Sequence, residues 1–250
     1  MGISFNPNPF NIGLISLQLN NKSRVNFGNT QSNDNFQNNS VDKLFNKDEI
    51  KYLIRKNTNV WKILIQNKIP LKLNIKELQD LRDNHCTNTR DLAGRIAHNL
   101  SPAQRQRVNL KDLKDAAMLH DFGKVLIPTD ILNKPSTLSP QERQIMNLHI
   151  ILGYEILKNS GVNENVLELV KYHHANIPNK PSDINLEILK LADKYCALTE
   201  QRPYKNTYTP VQALTILSQE VQNKNINPYV FNALVKCINE VDLKKHINIS

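Results

Sequence analysis

Seven histidines occur in 250 residues, and five of them, His85, His120, His149, His173 and His174, stand in or beside apolar stretches of helical spacing. His120 is followed at once by Asp121 in "AAMLHDFGKV", and Asp193 interrupts the apolar run "LEILKLADKYCAL". An imidazole or carboxylate on a buried helix face is costly unless something satisfies it. Singly, each of these histidines is as readily a satisfied or surface imidazole, and His98 and His246, among polar neighbours near helix ends, are read that way. As a set they offer mixed nitrogen and oxygen ligation, which suits Mn, Fe, Co, Ni or Zn better than Ca. Seven candidate ligands are too many for one tetrahedral ion and suit two. A pair of ions about 3.5–4 Å apart would hold a hydroxide and clamp the attacked and leaving oxygens of a phosphate.

The elements that must carry these residues are helices. Ser40 or Asp42 is expected to cap a first helix over "SVDKLFNKDEIKYLI", and "NVWKILIQNK" forms a second, ended by the extended "IPLKL". Asn74 heads one long helix, "IKELQDLRDNHCTNTRDLAGRIAHNL", with Leu78, Leu81, Leu92, Ile96 and also His85 on its inward face. "SPAQRQRVN" leads to "LKDLKDAAMLHD", whose last turn carries His120 and Asp121. "GKVLIPTDILNKPSTLSP", with three prolines, reads as a loop. Ser139, Pro140 and Glu142 have the N-cap, N1 and N3 pattern of a capping box, opening a helix that holds His149 and closes at Gly161. "NENVLELVKYHH" ends on His173-His174, and "INLEILKLADKYCALTEQ" carries Asp193. Thr209-Pro210 and Asn227-Pro228 start two final amphipathic helices. No strand pattern or internal repeat appears, so the fold class is all-α.

Composition narrows the function classes. Residues 1–41 are rich in Asn with Ser, Gln and Gly, and such a tail cannot bury enough apolar surface to offset its ordering entropy; it is expected to be disordered. Residues 42–76 form a helical extension and 77–245 the main domain. No run of about 18 apolar residues exists, and "IGLISLQL" lacks a basic leader and a cleavage site, so neither a membrane span nor a secretory signal is expected. Cys86, Cys196 and Cys237 form no CxxC pair and are expected to be free thiols in a reducing cytoplasm. The net charge of +9 is scattered without basic blocks interleaved with aromatics, which disfavours a polynucleotide and leaves a small phosphorylated ligand.

"HDFGK", preceded by His85 and followed by His149, the pair at 173–174 and Asp193, resembles the HD-domain metal-dependent phosphohydrolases. It is nearest to their HD-GYP branch, many of whose members hydrolyse cyclic di-GMP. The similarity runs from about residue 78 to 207. "IPTDILNKPSTLSPQERQIMNLHIILGYEIL" is similar to the branch's segment between its dyad and the next His, and "LADKYCALTEQRPYK" resembles its closing ligand helix with the Arg-Pro-Tyr signature. The resemblance implies an HD-domain helical bundle over 77–245. It implies that His85, His120, Asp121 and Asp193 bind one ion, and that Asp121 bridges to a second held by His149, His173 and His174. It gives Lys124 a contact to phosphate or the attacking water, and gives Lys124, Arg202 and Lys205 the grip on substrate phosphate. "HHANIPNKPSDINLEI" stands where the branch carries its Gly-Tyr-Pro loop, and Leu81 stands where some members have a Glu for a third ion. A dinuclear site is therefore expected.

The implied activity is phosphodiester hydrolysis of a nucleotide or cyclic dinucleotide, cyclic di-GMP among them, with Asp121 and Lys124 as the catalytic pair. The alternative is a degenerate HD domain that senses a nucleotide or holds a partner protein. Two copies could pair as a homodimer.

Overall fold

The computed structural model describes residues 39–175, 183–201 and 207–247, and among them every regular element is helical. The helices are α1 (Asn39–Leu44), α2 (Lys47–Arg55), α3 (Thr58–Gln66), α4 (Ile75–Leu81), α5 (Thr87–His98), α6 (Pro102–Arg105), α7 (Leu110–Leu119), α8 (Thr129–Leu132), α9 (Pro140–Leu157), α10 (Glu164–Tyr172), α11 (Ile184–Thr199), α12 (Pro210–Gln222) and α13 (Pro228–Ile247). A π-helical turn, Arg82–Cys86, joins α4 to α5, and a 3₁₀ turn, Phe122–Leu126, follows α7. Helices α5, α7, α9, α10 and α11 pack against one another, and a continuous apolar core runs from Val41 to Ile238. No helix among the described residues is long and apolar enough to cross a membrane.

Several local expectations need correcting. The first predicted helix is two: α1 already contains Ser40 and Asp42, so neither caps it, and the chain breaks before Asn46, whose side chain accepts from the backbone of Asp48 and Glu49 to cap α2. The long helix after Asn74 is interrupted by the π turn, where Thr87 bonds back to the carbonyl of Arg82 through both its N–H and, at 2.7 Å, its hydroxyl. Asn74 sits at the N-cap position but makes no side-chain cap; its amide donates to the carbonyl of Ile127, and its own N–H donates to Val125 at 2.9 Å. "SPAQRQRVN" contains the short α6, and the supposed loop after the dyad contains the 3₁₀ turn and α8. The capping box at Ser139 and Glu142 forms as expected, Gly161 closes that region at φ +83°, and Thr209 and Gln212 form a second box. The expected tail lies outside the described residues but for its last three.

Two buried polar clusters fix the helices that matter. Asp112 accepts from Asn109 at 2.7 Å, Asn163 at 3.3 Å and Asn165 at 3.1 Å, which ties the start of α7 to the start of α10. Both helices then run side by side and end together, one on His120 and the other on His173, whose rings lie 5.2 Å apart. Asn57 caps α3 while its amide donates to Glu155, whose carboxylate also accepts from Asn59 at 3.2 Å, so the N-terminal helices are held against α9. Phe45 meets the ring of Phe122 edge-on at 5.3 Å, anchoring the turn that carries Asp121.

Candidate metal centre

Two triads of ligand-type atoms face each other across one carboxylate. His85, His120 and Asp193 form the first, and His149, His173 and His174 the second, with the atoms of each within 4.8 Å of one another. Asp121 lies between them. Its Oδ2 is 3.6 Å from His85 Nε2 and 3.4 Å from His120 Nε2, while its Oδ1 is 3.5 Å from His149 Nε2. Of these residues only His174 is exposed, which puts it at the mouth. Lys124, one 3₁₀ turn after Asp121, donates to Asp121 Oδ2 at 2.6 Å. The seven expected ligands and Lys124 are thus together. Arg202 and Lys205 lie outside the described residues. His98 is exposed, as expected.

The way each ring is anchored decides which nitrogen faces the centre. Nδ1 of His120 meets the carbonyl of Ala117 at 2.8 Å, Nδ1 of His149 that of Met146 at 2.7 Å, and Nδ1 of His173 that of Val170 at 2.6 Å. A carbonyl only accepts, so each Nδ1 carries the proton and, in the neutral ring, Nε2 is left with a bare lone pair. Such outer hydrogen bonds fix both tautomer and orientation of a ligating histidine. Ala117 and Val170 lie in the last turns of α7 and α10, where carbonyls lack partners in their own helix. Placing His at the C-cap therefore satisfies a helix end and aims a ligand together.

The electrostatics agree. Burial pushes His149 down to about 4, against the pull of Asp121. His173 is driven well below its ordinary value by burial and by the surrounding imidazoles of His120, His174 and His149. Both rings are neutral near pH 7. Burial would raise the Asp121 carboxyl, but the Lys124 ammonium and the imidazoles of His120 and His149 outweigh it and hold Asp121 well below the usual range. Burial opposes ionisation of Asp193 too, and is again overcome, here by His85 and His120, so that its carboxyl is lowered. At His85 burial is overcome as well: it would lower the ring, but hydrogen bonds to Asp193 at 3.1 Å and Glu200 at 2.7 Å raise it to about 9.

The arrangement leaves a specific electronic need. His120 Nε2 is buried with no hydrogen-bond partner. His149 Nε2 lies 3.3 Å from His173 Nε2, and with both protons committed to carbonyls these two lone pairs face each other. Unpaired buried acceptors of this kind cost about 1–3 kcal/mol each. A divalent cation in each triad would satisfy these atoms, and the mixed imidazole and carboxylate donors suit borderline transition ions. The residues present fit such an ion.

Sequence reasoning missed Glu200, whose carboxylate accepts from His85 Nδ1 at 2.7 Å and from Asn88 at 2.8 Å. The signal was available: Glu200 follows Asp193 by two helical turns, so both fall on one face of α11.

A family model described as HD domain matches residues 64–230. A cyclic di-GMP phosphodiesterase of Thermotoga maritima is 30% identical over 179 residues, covering 67% of this chain and 48% of its own. A cyclic di-GMP phosphodiesterase response regulator of Xanthomonas campestris is 28% identical over 156 residues, 58% of this chain and 40% of its own. A 3′3′-cGAMP-specific phosphodiesterase of Vibrio cholerae is 38% identical over 111 residues, 40% of this chain and 21% of its own. The chain therefore spans at most about half the length of these relatives. The matched stretch holds both triads, Asp121 and Lys124, and by that match the chain belongs to the HD-domain family.

Proposed function

We propose that the chain is a metal-dependent phosphodiesterase whose substrate is a cyclic dinucleotide, with His85, His120, Asp121 and Asp193 holding one ion and Asp121, His149, His173 and His174 a second. The observation that carries this reading is the placement of Asp121, whose two oxygens face opposite triads at 3.4–3.6 Å. Bound divalent ions supply Lewis acidity toward a phosphoryl oxygen and lower the pKa of a water at the site. The chain's own part is to fix the donors. Three rings are locked by helix carbonyls, and the low-lying Asp121 carboxylate stays ionised at any working pH. Lys124, with a side chain only 15% exposed, sets a positive charge beside Asp121, where it can neutralise a phosphate oxygen through a charge-assisted hydrogen bond. Arg202 and Lys205 join it as further phosphate contacts on the strength of the sequence resemblance.

The substrate class follows from the relatives' names, two of them acting on cyclic di-GMP and one on 3′3′-cGAMP. The test is elemental analysis of the purified protein, then assay of the Mn²⁺-loaded form on bis-p-nitrophenyl phosphate, cyclic di-GMP and 3′3′-cGAMP. Two ions per chain and turnover of a cyclic dinucleotide are expected. Two ions without turnover of any of the three would instead make the domain a nucleotide-binding module, and three ions would overturn the ligand assignment.

A further inference from the structure

His120, His149 and His173 are anchored by neutral carbonyls three residues back in the chain. His85 is anchored by a charged group 115 residues away: its Nδ1 donates to Glu200 Oε2 at 2.7 Å. The second oxygen of Glu200 accepts from the Asn88 amide at 2.8 Å, so one carboxylate grips both the ring and the helix start that follows it. Glu200 itself is fixed as the C-cap of α11, its N–H donating to Cys196 at 2.8 Å, on the same helix that presents Asp193. The need for this brace is local. His85 sits in the π turn, which is wider than an α-helical turn, and the ring is turned toward α11 rather than back onto its own helix. An anionic partner on Nδ1 orients the ring and makes Nε2 a stronger donor than a carbonyl partner does.

We propose that Glu200 is the positioning residue for His85 and makes the two halves of the centre unequal, the His85–His120–Asp193 half taking its ion more tightly than the His149–His173–His174 half. This rests on the dinuclear reading above. Both halves share Asp121, so the difference lies in the remaining donors: the first half has two carboxylates, Asp193 directly and Glu200 through His85, while in the second the Nδ1 atoms of His149 and His173 rest on neutral carbonyls.

The test is stepwise Mn²⁺ titration of the metal-free full chain against a competing chelator, with bound metal counted by elemental analysis, on wild type and Glu200→Gln. Wild type should bind two ions with distinct affinities. Glu200→Gln should weaken the tighter one by about 10–100-fold, the usual consequence of losing such an outer partner, and leave the other within about twofold. Equal affinities in wild type, unchanged binding in the variant, or equal weakening of both ions would overturn the inference while leaving the dinuclear reading standing. No ion bound by wild type would remove that reading itself. Circular dichroism of the metal-free proteins checks the fold. Should Glu200→Gln not fold, Asn88→Ala serves, since it loosens Glu200 while keeping its carboxylate on His85. It should weaken the tighter ion alone by a smaller factor, and no change there would equally overturn the inference.

Discussion

The backbone of Gly123 lies directly against that of Gly153. A β-carbon on Gly123 would stand 2.0 Å from the carbonyl oxygen of His149 and 2.5 Å from the N–H nitrogen of Gly153, and one on Gly153 would stand 3.1 Å from the nitrogen of Gly123. The first contact leaves no room for a side chain and the second is tight, so the 3₁₀ turn rides on the surface of α9 with nothing between. This contact brings Asp121, two residues before Gly123, within 3.5 Å of His149 on the facing helix.

Gly123→Ala should therefore force the turn away from α9. The expected cost is at least the 1–3 kcal/mol typical of overpacking, read by urea unfolding of the metal-free protein, with binding of the second ion lost. Gly153→Ala, whose β-carbon needs only a few tenths of an ångström, should cost less and keep both ions. Equal effects of the two would refute this asymmetry.

Asp121→Ala removes the shared carboxylate and leaves Lys124 without its partner. Both ions should be lost on dialysis, and turnover should fall by at least about 10²–10³-fold, the scale seen when a group stabilising developing charge is removed. Retention of two ions by this variant would show that Asp121 does not join the triads.

Lys124→Gln should separate charge neutralisation from metal binding. Two ions should remain by elemental analysis, while kcat falls by about 10²-fold. A variant that turned over substrate at the wild-type rate would take Lys124 out of the reaction.

Chelation should be visible in stability as well as activity. Ions that bind only the folded chain add about 2.7 kcal/mol at a hundred times their dissociation constant. EDTA should thus lower the melting temperature and abolish turnover, and Mn²⁺ should restore both. A melting temperature indifferent to EDTA would contradict a centre that ties five helical segments together.

Glu155 offers a pH dependence remote from the centre. Burial alone would raise its carboxyl, but hydrogen bonds from Lys158, Asn59 and Asn57 outweigh burial and hold it below its ordinary value of 4.5. A depressed carboxyl contributes stability that is fully present above the unfolded value and is lost as pH falls through the folded one. Glu155→Gln should accordingly be less stable than wild type by about 1–2 kcal/mol at pH 7, and the gap should close as the pH is taken below about 4.5. A gap that stayed constant between pH 7 and 3 would mean the carboxylate charge contributes nothing.

Part of the candidate set was legible where a residue breaks an apolar rhythm: Asp193 inside "LEILKLADKYCAL" has no reason to be buried without a partner, and His149 follows the same logic on α9. Helix starts at Ser139 and Thr209 were legible because their caps are local, read from four consecutive residues. What stayed hidden depends on distant partners. Asn74 carries a cap residue's identity, but its amide goes to Ile127, 53 positions on. Glu200 follows Asp193 by seven residues, but its partners His85 and Asn88 lie 115 and 112 positions back in the chain. The 3₁₀ turn and α8 escape periodicity because each is barely one turn long. The π turn escapes it too, since Leu78, Leu92 and Ile96 keep helical spacing on either side and conceal the extra residue between them.

That π turn amounts to a single surplus residue within an otherwise regular helical rod, retained between Arg82 and Cys86. Deleting one residue there would let α4 and α5 merge into an unbroken helix with the residues on either side keeping their faces, because the wide turn absorbs the surplus residue, yet His85 would lose the bulged position that aims it at Asp193 and Glu200. His85 would leave the centre with its neighbours still packed. The fold and the chemistry of this chain thus part company at one position of register, so that a shortened variant could be sturdier than its parent and inert.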